Sequence, residues 1–276
     1  MFFALCAVMI PLEYFLSGKE NRKLSLKNNY LNIVYWFFNP LFIRPMTNVV
    51  LIIFLFLLSS LLPHHADAHS FFDGFGPVVK QPVWLQILEI LLLADLIEYW
   101  VHRVFHQSRF WKIHAVHHSA EEMNWLASAR MHPINDLCTK VCQVVPLVAV
   151  GFPISSAALV VPYLFLYVIF LHSNIKCDFG IFKYLIVSPA YHHWHHSSET
   201  AALDKNFAGI FPVWDIIFGT LYLPEHRASS FGVIRDAPPE DLLGQMVYPF
   251  KKSNLEQDSS VNMPHAGTSY PQPLES

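Results

Sequence analysis

Apolar residues in this chain come in long runs separated by short polar stretches, with little of the alternation that marks half-buried strands. Residues 2–16 are apolar except for Glu13, and they are short for a membrane crossing, which takes about 20 residues. No basic leader or small-residue cleavage site accompanies them, so a partly embedded first helix is expected. Residues 17–30 are polar, and residues 31–43 are aromatic-rich but interrupted by Asn32 and Asn39, and either lie in the interface or begin the next hydrophobic element. Residues 48–62 predict a membrane span. A Gly/Pro-punctuated loop follows over 63–82, and 83–101 predicts the next span despite Glu89, Asp95 and Glu98. Residues 103–136 are polar. The apolar run 137–172 is broken at Gly151-Phe152-Pro153, which predicts a helical hairpin that returns to the side it left. Residues 173–250 are mixed, and 251–276 have the Ser/Pro/Gln/Asn composition of a disordered tail.

Composition agrees with this pattern. The 276 residues are 53% hydrophobic and 14% charged, with a mean hydropathy of +0.33, whereas soluble domains carry roughly a quarter charged residues. An integral membrane protein is expected. The net charge of -3 says nothing about nucleic acid, and no Lys/Arg-rich run suggests such a partner, so none is expected. Cys6, Cys138, Cys142 and Cys177 contain no C-x-x-C pair and imply no disulfide framework.

Basic residues set the expected sidedness. Lys19, Arg22, Lys23, Lys27 and Arg44 cluster in 17–48, and the 63–82 loop holds only Lys80. The first segment is therefore expected inside and the loop outside. The span 83–101 then delivers His102 to the cytoplasmic face, and the hairpin returns His172 to it. This topology strands His64, His65 and His69 on the opposite side and excludes them as ligands.

Nine of the sixteen histidines fall in three boxes: His102 and His106; His114, His117 and His118; His192, His193, His195 and His196. Residues three or four apart share a helix face, so each box can aim two or more imidazoles at one point. A His-rich low-complexity tract would form one cluster rather than three spread over about a hundred residues. Without His193, eight histidines remain, more than the four to six ligands that complete one metal centre, which implies two metals. Imidazole suits iron and zinc alike. Asp95 lies almost two turns before His102 on the same face, and it is expected to support a histidine ligand.

Taken together, Tyr99-x-x-His102-Arg103-x-x-His106, His114-x-x-His117-His118, Arg130-x-His132-Pro133, Ser188-Pro189-x-x-His192-x-x-His195-His196, and Asp204-x-Asn206-Phe207 leading to Trp214-Asp215-x-x-Phe218-Gly219-Thr220 resemble the fatty acid hydroxylase/sterol desaturase superfamily. The resemblance covers roughly 83–224. It implies an all-α, multi-pass membrane protein with a cytoplasmic helical cap carrying a di-metal histidine site. It also implies that dioxygen and electrons are used to hydroxylate or desaturate a lipid C–H bond. The ligands it carries over are His102, His106, His114, His117, His118, His192, His195 and His196, with His172 and His132 added. Asp204, Asn206 and His193 would support them, while Trp214 and Asp215 would hold the cap together. The domain division expected is N-terminal membrane helices and loops over 1–82, the hydroxylase-like domain over 83–224, and a C-terminal extension over 225–276.

The function expected is a di-iron, O2-dependent lipid oxygenase. The chain shows no dinucleotide or haem motif, so electrons would come from a separate partner of cytochrome b5, ferredoxin or reductase type. The alternatives are a zinc-binding membrane protein without redox chemistry and a transporter with a metal-binding mouth. Against the transporter, the ionisable residues gather at one membrane face. A bacterial inner membrane or the endoplasmic reticulum would suit the chain.

Overall fold

The structure is a computed structural model that describes residues 1–17, 25–61 and 68–251. Lys19, Arg22, Lys23, His64, His65 and the expected disordered tail from about 251 lie outside the described residues, apart from Lys251 itself. Among the described residues the architecture is helical. One isolated bridge, between Ser197 and Phe231, is the only β pairing among them.

Helix α1 (Phe2–Leu16) is followed by α2 (Leu26–Phe38) and α3 (Arg44–Leu61), which join through a π-helical turn at Asn39–Ile43. Sequence alone leaves 31–43 either in the interface or opening the next hydrophobic element, and starts the span at 48. The backbone takes the second course and continues into the span, because the wider turn accommodates Pro40, which has no N–H to donate. Asn39 turns its amide onto the Ala129 carbonyl at 2.6 Å. The short α4 (Ala68–Asp73) precedes α5 (Val83–Phe105) and α6 (Ser108–His118). Three stretches are long and apolar enough to cross a membrane: Asn28–Leu61, Pro133–Val150 and Ile154–His172. The last two are α7 and α8. Helix α5 is comparably long, but its three acidic residues set it apart.

The hairpin between α7 and α8 forms where expected. Gly151 closes α7 at φ 104°, a left-handed position that suits glycine. The N–H of Phe152 bonds the Leu147 carbonyl at 3.0 Å, and Pro153 starts α8. The hairpin loop is clasped by Phe75, whose N–H donates to the Gly151 carbonyl at 3.1 Å.

Beyond α8, the chain folds as short helices over the ends of the longer ones: α9 (Pro189–His195), α10 (Val213–Phe218) and α11 (Leu242–Val247). Buried Tyr99, Leu171, Val187, Tyr191, Phe207 and Ala208 form the core that ties α5, α8 and α9 together. A second core joins α1, α2, α8 and the turn Trp125–Ala129 through Met9, Trp36, Trp125, Leu126 and Ile169. Glu13 of α1 accepts the N–H groups of Trp125 at 2.8 Å and Asn174 at 2.9 Å, so the first helix is bound to the cap.

A Gly151→Ala substitution tests the hairpin. A Cβ there would lie 2.4 Å from the Phe75 carbonyl oxygen, in addition to the strain of positive φ. The expected cost is about 1–3 kcal/mol, read as a thermal unfolding midpoint lower by several degrees in detergent. An unchanged midpoint would show that the turn relaxes without cost.

Candidate metal centre

The three boxes converge. His102 occupies the last turn of α5 and His106 caps its end. His114, His117 and His118 form the last turns of α6. Helix α9 is seven residues long and sharply started: the Ser188 hydroxyl accepts the Tyr191 N–H at 3.2 Å, and Pro189 holds the first position. It sets His192 and His195 one turn apart and is capped by His196. The last residue of α8, His172, completes the set.

These side chains fall into two groups. His102, His106, His114, His118 and His195 each offer a nitrogen within 4.8 Å of the others, as do His117, His172, His192 and His196. The groups touch, with His118 and His196 rings stacked at 4.4 Å between centroids.

The outer nitrogens of the rings are held by acceptors. The Nδ1 atoms of His102, His117 and His195 meet the carbonyls of Phe207 at 2.8 Å, Arg130 at 2.8 Å and Lys205 at 3.0 Å. That of His172 meets the Val168 carbonyl at 2.9 Å. His114 Nδ1 meets the amide oxygen of Asn135 at 2.8 Å, and His106 Nδ1 meets Asp204 at 3.2 Å. A carbonyl only accepts, so each of these Nδ1 atoms carries the proton and each Nε2 is left with a bare lone pair.

The inner nitrogens then face one another without hydrogen. His102 Nε2 and His114 Nε2 are 2.9 Å apart, and His117 Nε2 and His172 Nε2 are 3.4 Å apart. Neither pair can form a hydrogen bond while the rings are neutral. Burial keeps them neutral, holding His102 and His117 down to about 4. Burial, and after it the neighbouring rings, push His106, His114, His118 and His196 well below the ordinary imidazole value. His106 Nε2 is buried with no hydrogen-bond partner among the described residues. Opposed lone pairs are a favourable arrangement only around a cation. An all-imidazole set without thiolate suits iron or zinc.

Four expectations need correction or sharpening. His132 joins neither group. It is the N-cap of α7, where Nδ1 accepts the Ile134 N–H and Nε2 donates to the Met246 carbonyl, both at 3.2 Å, so neither nitrogen is free for a metal. Asp95 touches no histidine. It accepts the N–H groups of Gly209, Ile210 and Phe211 at 2.8–3.0 Å and the Trp214 indole at 3.0 Å. It thus anchors the loop that presents the Phe207 carbonyl to His102. Asn206 likewise bonds only backbone, at Tyr191 and Tyr222. His193 points away from both groups and bonds the Ser173 carbonyl at 3.0 Å. Asp204 does meet His106, and Asp215 binds the Phe207 and Ala208 N–H groups, each at 2.8 Å, with the Tyr191 hydroxyl. His69 is exposed on α4 and belongs to neither group.

Sequence reasoning missed Asn135 and the backbone carbonyls. Asn135 stands in the first turn of α7, three residues after His132, and no spacing in the sequence ties it to His114. Arg130 was noted only within its Arg-x-His-Pro motif. Its buried guanidinium bonds Asn32 at 2.7 Å and Ser119 at 3.0 Å, which fixes the carbonyl that His117 needs.

Comparison with known proteins follows the same region. Residues 87–220 match the fatty acid hydroxylase family. Over 151 residues, 54% of this chain, it is 32% identical to alkylglycerol monooxygenase of Danio rerio, covering 32% of that protein. Over 191 residues, 69% of this chain, it is 25% identical to the ornithine lipid hydroxylase OlsE of Rhizobium tropici, covering 57% of that protein. A very-long-chain aldehyde decarbonylase, GL1-1 of Oryza sativa subsp. indica, is 30% identical over 183 residues, which is 58% of this chain and 28% of that protein. The chain thus spans about a third of the first of these relatives and little more than half of the second. No solved structure matches it.

An Asn135→Leu substitution removes the acceptor of His114 Nδ1 while keeping the ligand. Metal affinity is expected to fall roughly 10- to 100-fold, measured by competition with a chelator. His132→Ala, which deletes only the helix cap, is expected to cost about 1 kcal/mol of stability and to leave metal content unchanged. Loss of metal in His132→Ala would overturn its exclusion.

Proposed function

We propose that the chain, whose residues 87–220 match the fatty acid hydroxylase family, is a di-iron, O2-dependent oxygenase that hydroxylates a C–H bond of a membrane lipid. The observation that carries this reading is the pair of adjacent imidazole groups whose inner nitrogens face one another bare. The named chemistry of two relatives, an alkylglycerol monooxygenase and an ornithine lipid hydroxylase, favours hydroxylation over desaturation.

His102, His106, His114, His118 and His195 would hold one iron, and His117, His172, His192 and His196 the other. Iron held there supplies the O2 activation and the oxidising power that an unactivated C–H bond requires; redox-inert zinc does not. The protein's part is positioning and exclusion of water. Phe207 packs on His106 at 5.0 Å and Trp111 on His118 at 5.3 Å, so apolar rings close the outer side of the five-histidine group. Asp204 holds a proton on His106 Nδ1 and keeps its Nε2 aimed inward.

One oxygen atom enters the C–H bond and the other leaves as water, a balance that consumes two electrons and two protons. A separate redox partner of cytochrome b5, ferredoxin or reductase type would deliver the electrons at the cytoplasmic face. The membrane would be a bacterial inner membrane or the endoplasmic reticulum.

The test is lipid mass spectrometry on cells with and without the protein, grown under labelled dioxygen. A lipid class that gains one labelled oxygen is expected. His195→Ala should abolish the product while the protein still accumulates, and His69→Ala should leave it unchanged. No oxygenated lipid in the presence of iron-loaded protein, or full product from His195→Ala, would refute the reading.

A further inference from the structure

A second feature lies on the far side of α9 from the histidines. Ala190 and Trp194 of that helix line a cleft of about 420 Å³, which the metal groups do not share. Three cations line it from separate segments: Lys176 after α8, Lys183 in the turn Gly180–Tyr184, and Arg227 in the loop after Tyr222. Among the described residues none of the three is in a salt bridge. Lys183 rests over the Tyr184 ring at 5.3 Å. Arg227 donates from one nitrogen to the Ile175 carbonyl at 3.1 Å and lies within the field of Asp178. Two carboxylates share the lining, Asp178 and Glu225. Asp178 already accepts the Gly180 N–H at 2.9 Å, so part of its capacity is committed.

Beside this charged cleft runs an apolar rim. Ile181 is 83% exposed, Leu185 65% and Phe182 55%. In water such a cluster on one short segment would be costly, whereas at a bilayer surface it is favourable. The segment begins a few residues after His172, the end of a helix long enough to cross a membrane. Cations with an adjacent aromatic and an apolar rim at that level match a lipid's head group and upper acyl chains.

We propose that this cleft binds the head group of a zwitterionic phospholipid. The phosphodiester sits on Lys176, Lys183 and Arg227, where an Arg fork and two ammonium groups suit it. The ammonium of the head group turns toward Asp178 and Glu225, and the acyl chains lie along Ile181, Phe182 and Leu185. None of the nine histidines of the metal groups lines the cleft, so this lipid is a resident of the surface and not the reacting molecule. The site stands whether or not the chain is an oxygenase.

The experiment uses the full chain, purified in detergent, with three probes read by native mass spectrometry. These are dioleoyl phosphatidylethanolamine, dioleoylglycerol, which lacks the phosphate, and water-soluble glycerophosphoethanolamine. The phospholipid is expected to bind best. The double variant Lys176→Glu/Lys183→Glu should weaken it by about tenfold or more, since each cation near a lipid phosphate contributes roughly 1 kcal/mol. Unchanged metal content and thermal midpoint would confirm that this variant folds. If it does not fold, Arg227→Gln carries the same comparison. The proposal is overturned if the variant binds the phospholipid within twofold of the parent, or if dioleoylglycerol binds equally well. It is also overturned if glycerophosphoethanolamine binds as tightly as the lipid, which would identify a soluble phosphate compound as the occupant.

Discussion

Neutral imidazoles with their outer nitrogens committed to carbonyls must present lone pairs inward, and lone pairs in contact repel. This constraint organises the cap. His102 and His114 meet in this way in one group, and His117 and His172 in the other. Each needs its acceptor fixed in place, and the acceptors come from distant parts of the chain. The Phe207 carbonyl is placed because Asp215 binds the N–H groups of residues 207 and 208, while Asp95 binds those of 209, 210 and 211. The Arg130 carbonyl is placed because Asn32 of α2 holds the Arg130 side chain. The buried polar residues outside the boxes therefore act through the backbone they pin, and through it set proton positions on the rings.

The helices longer than one bilayer leaflet supply the frame. His172 ends α8 and His102 lies in the last turn of α5, while Asn135 lies in the first turn of α7. The hairpin at Gly151 makes this possible, because α7 leaves the level of the histidines and α8 returns to it. The short helices α9 and α10 then cover that level. In lipid, backbone polar groups must pair within helices, so an irregular, polar site of this kind is confined to the region where the helices end.

Much of this was legible in the sequence, for definite reasons. The boxes at helical spacing announced the histidines, and the proline-glycine break announced the hairpin. What could not be read was anything set by tertiary contact. His132 carries the same side chain as the other histidines, but the following proline makes it a helix cap whose nitrogens both go to backbone. Asp95 shares a helix face with His102, yet helical phase alone does not say which loop crosses that face. The loop at 209–211 reached it first. Asn39 reads as an interruption, and a π-helical turn absorbs it. Asn135 has no spacing relation to His114 that a periodicity would show, since the two are brought together only by the crossing of α6 and α7.

The central claim is that each imidazole group exists to enclose a cation. Elemental analysis of the full chain, purified anaerobically and without chelators, measures this directly. The account predicts two metal ions per chain, iron in the form that oxygenates lipid, and both lost together with the folded cap when the protein is stripped. A well-folded protein that reproducibly carries one ion, or none, would contradict it.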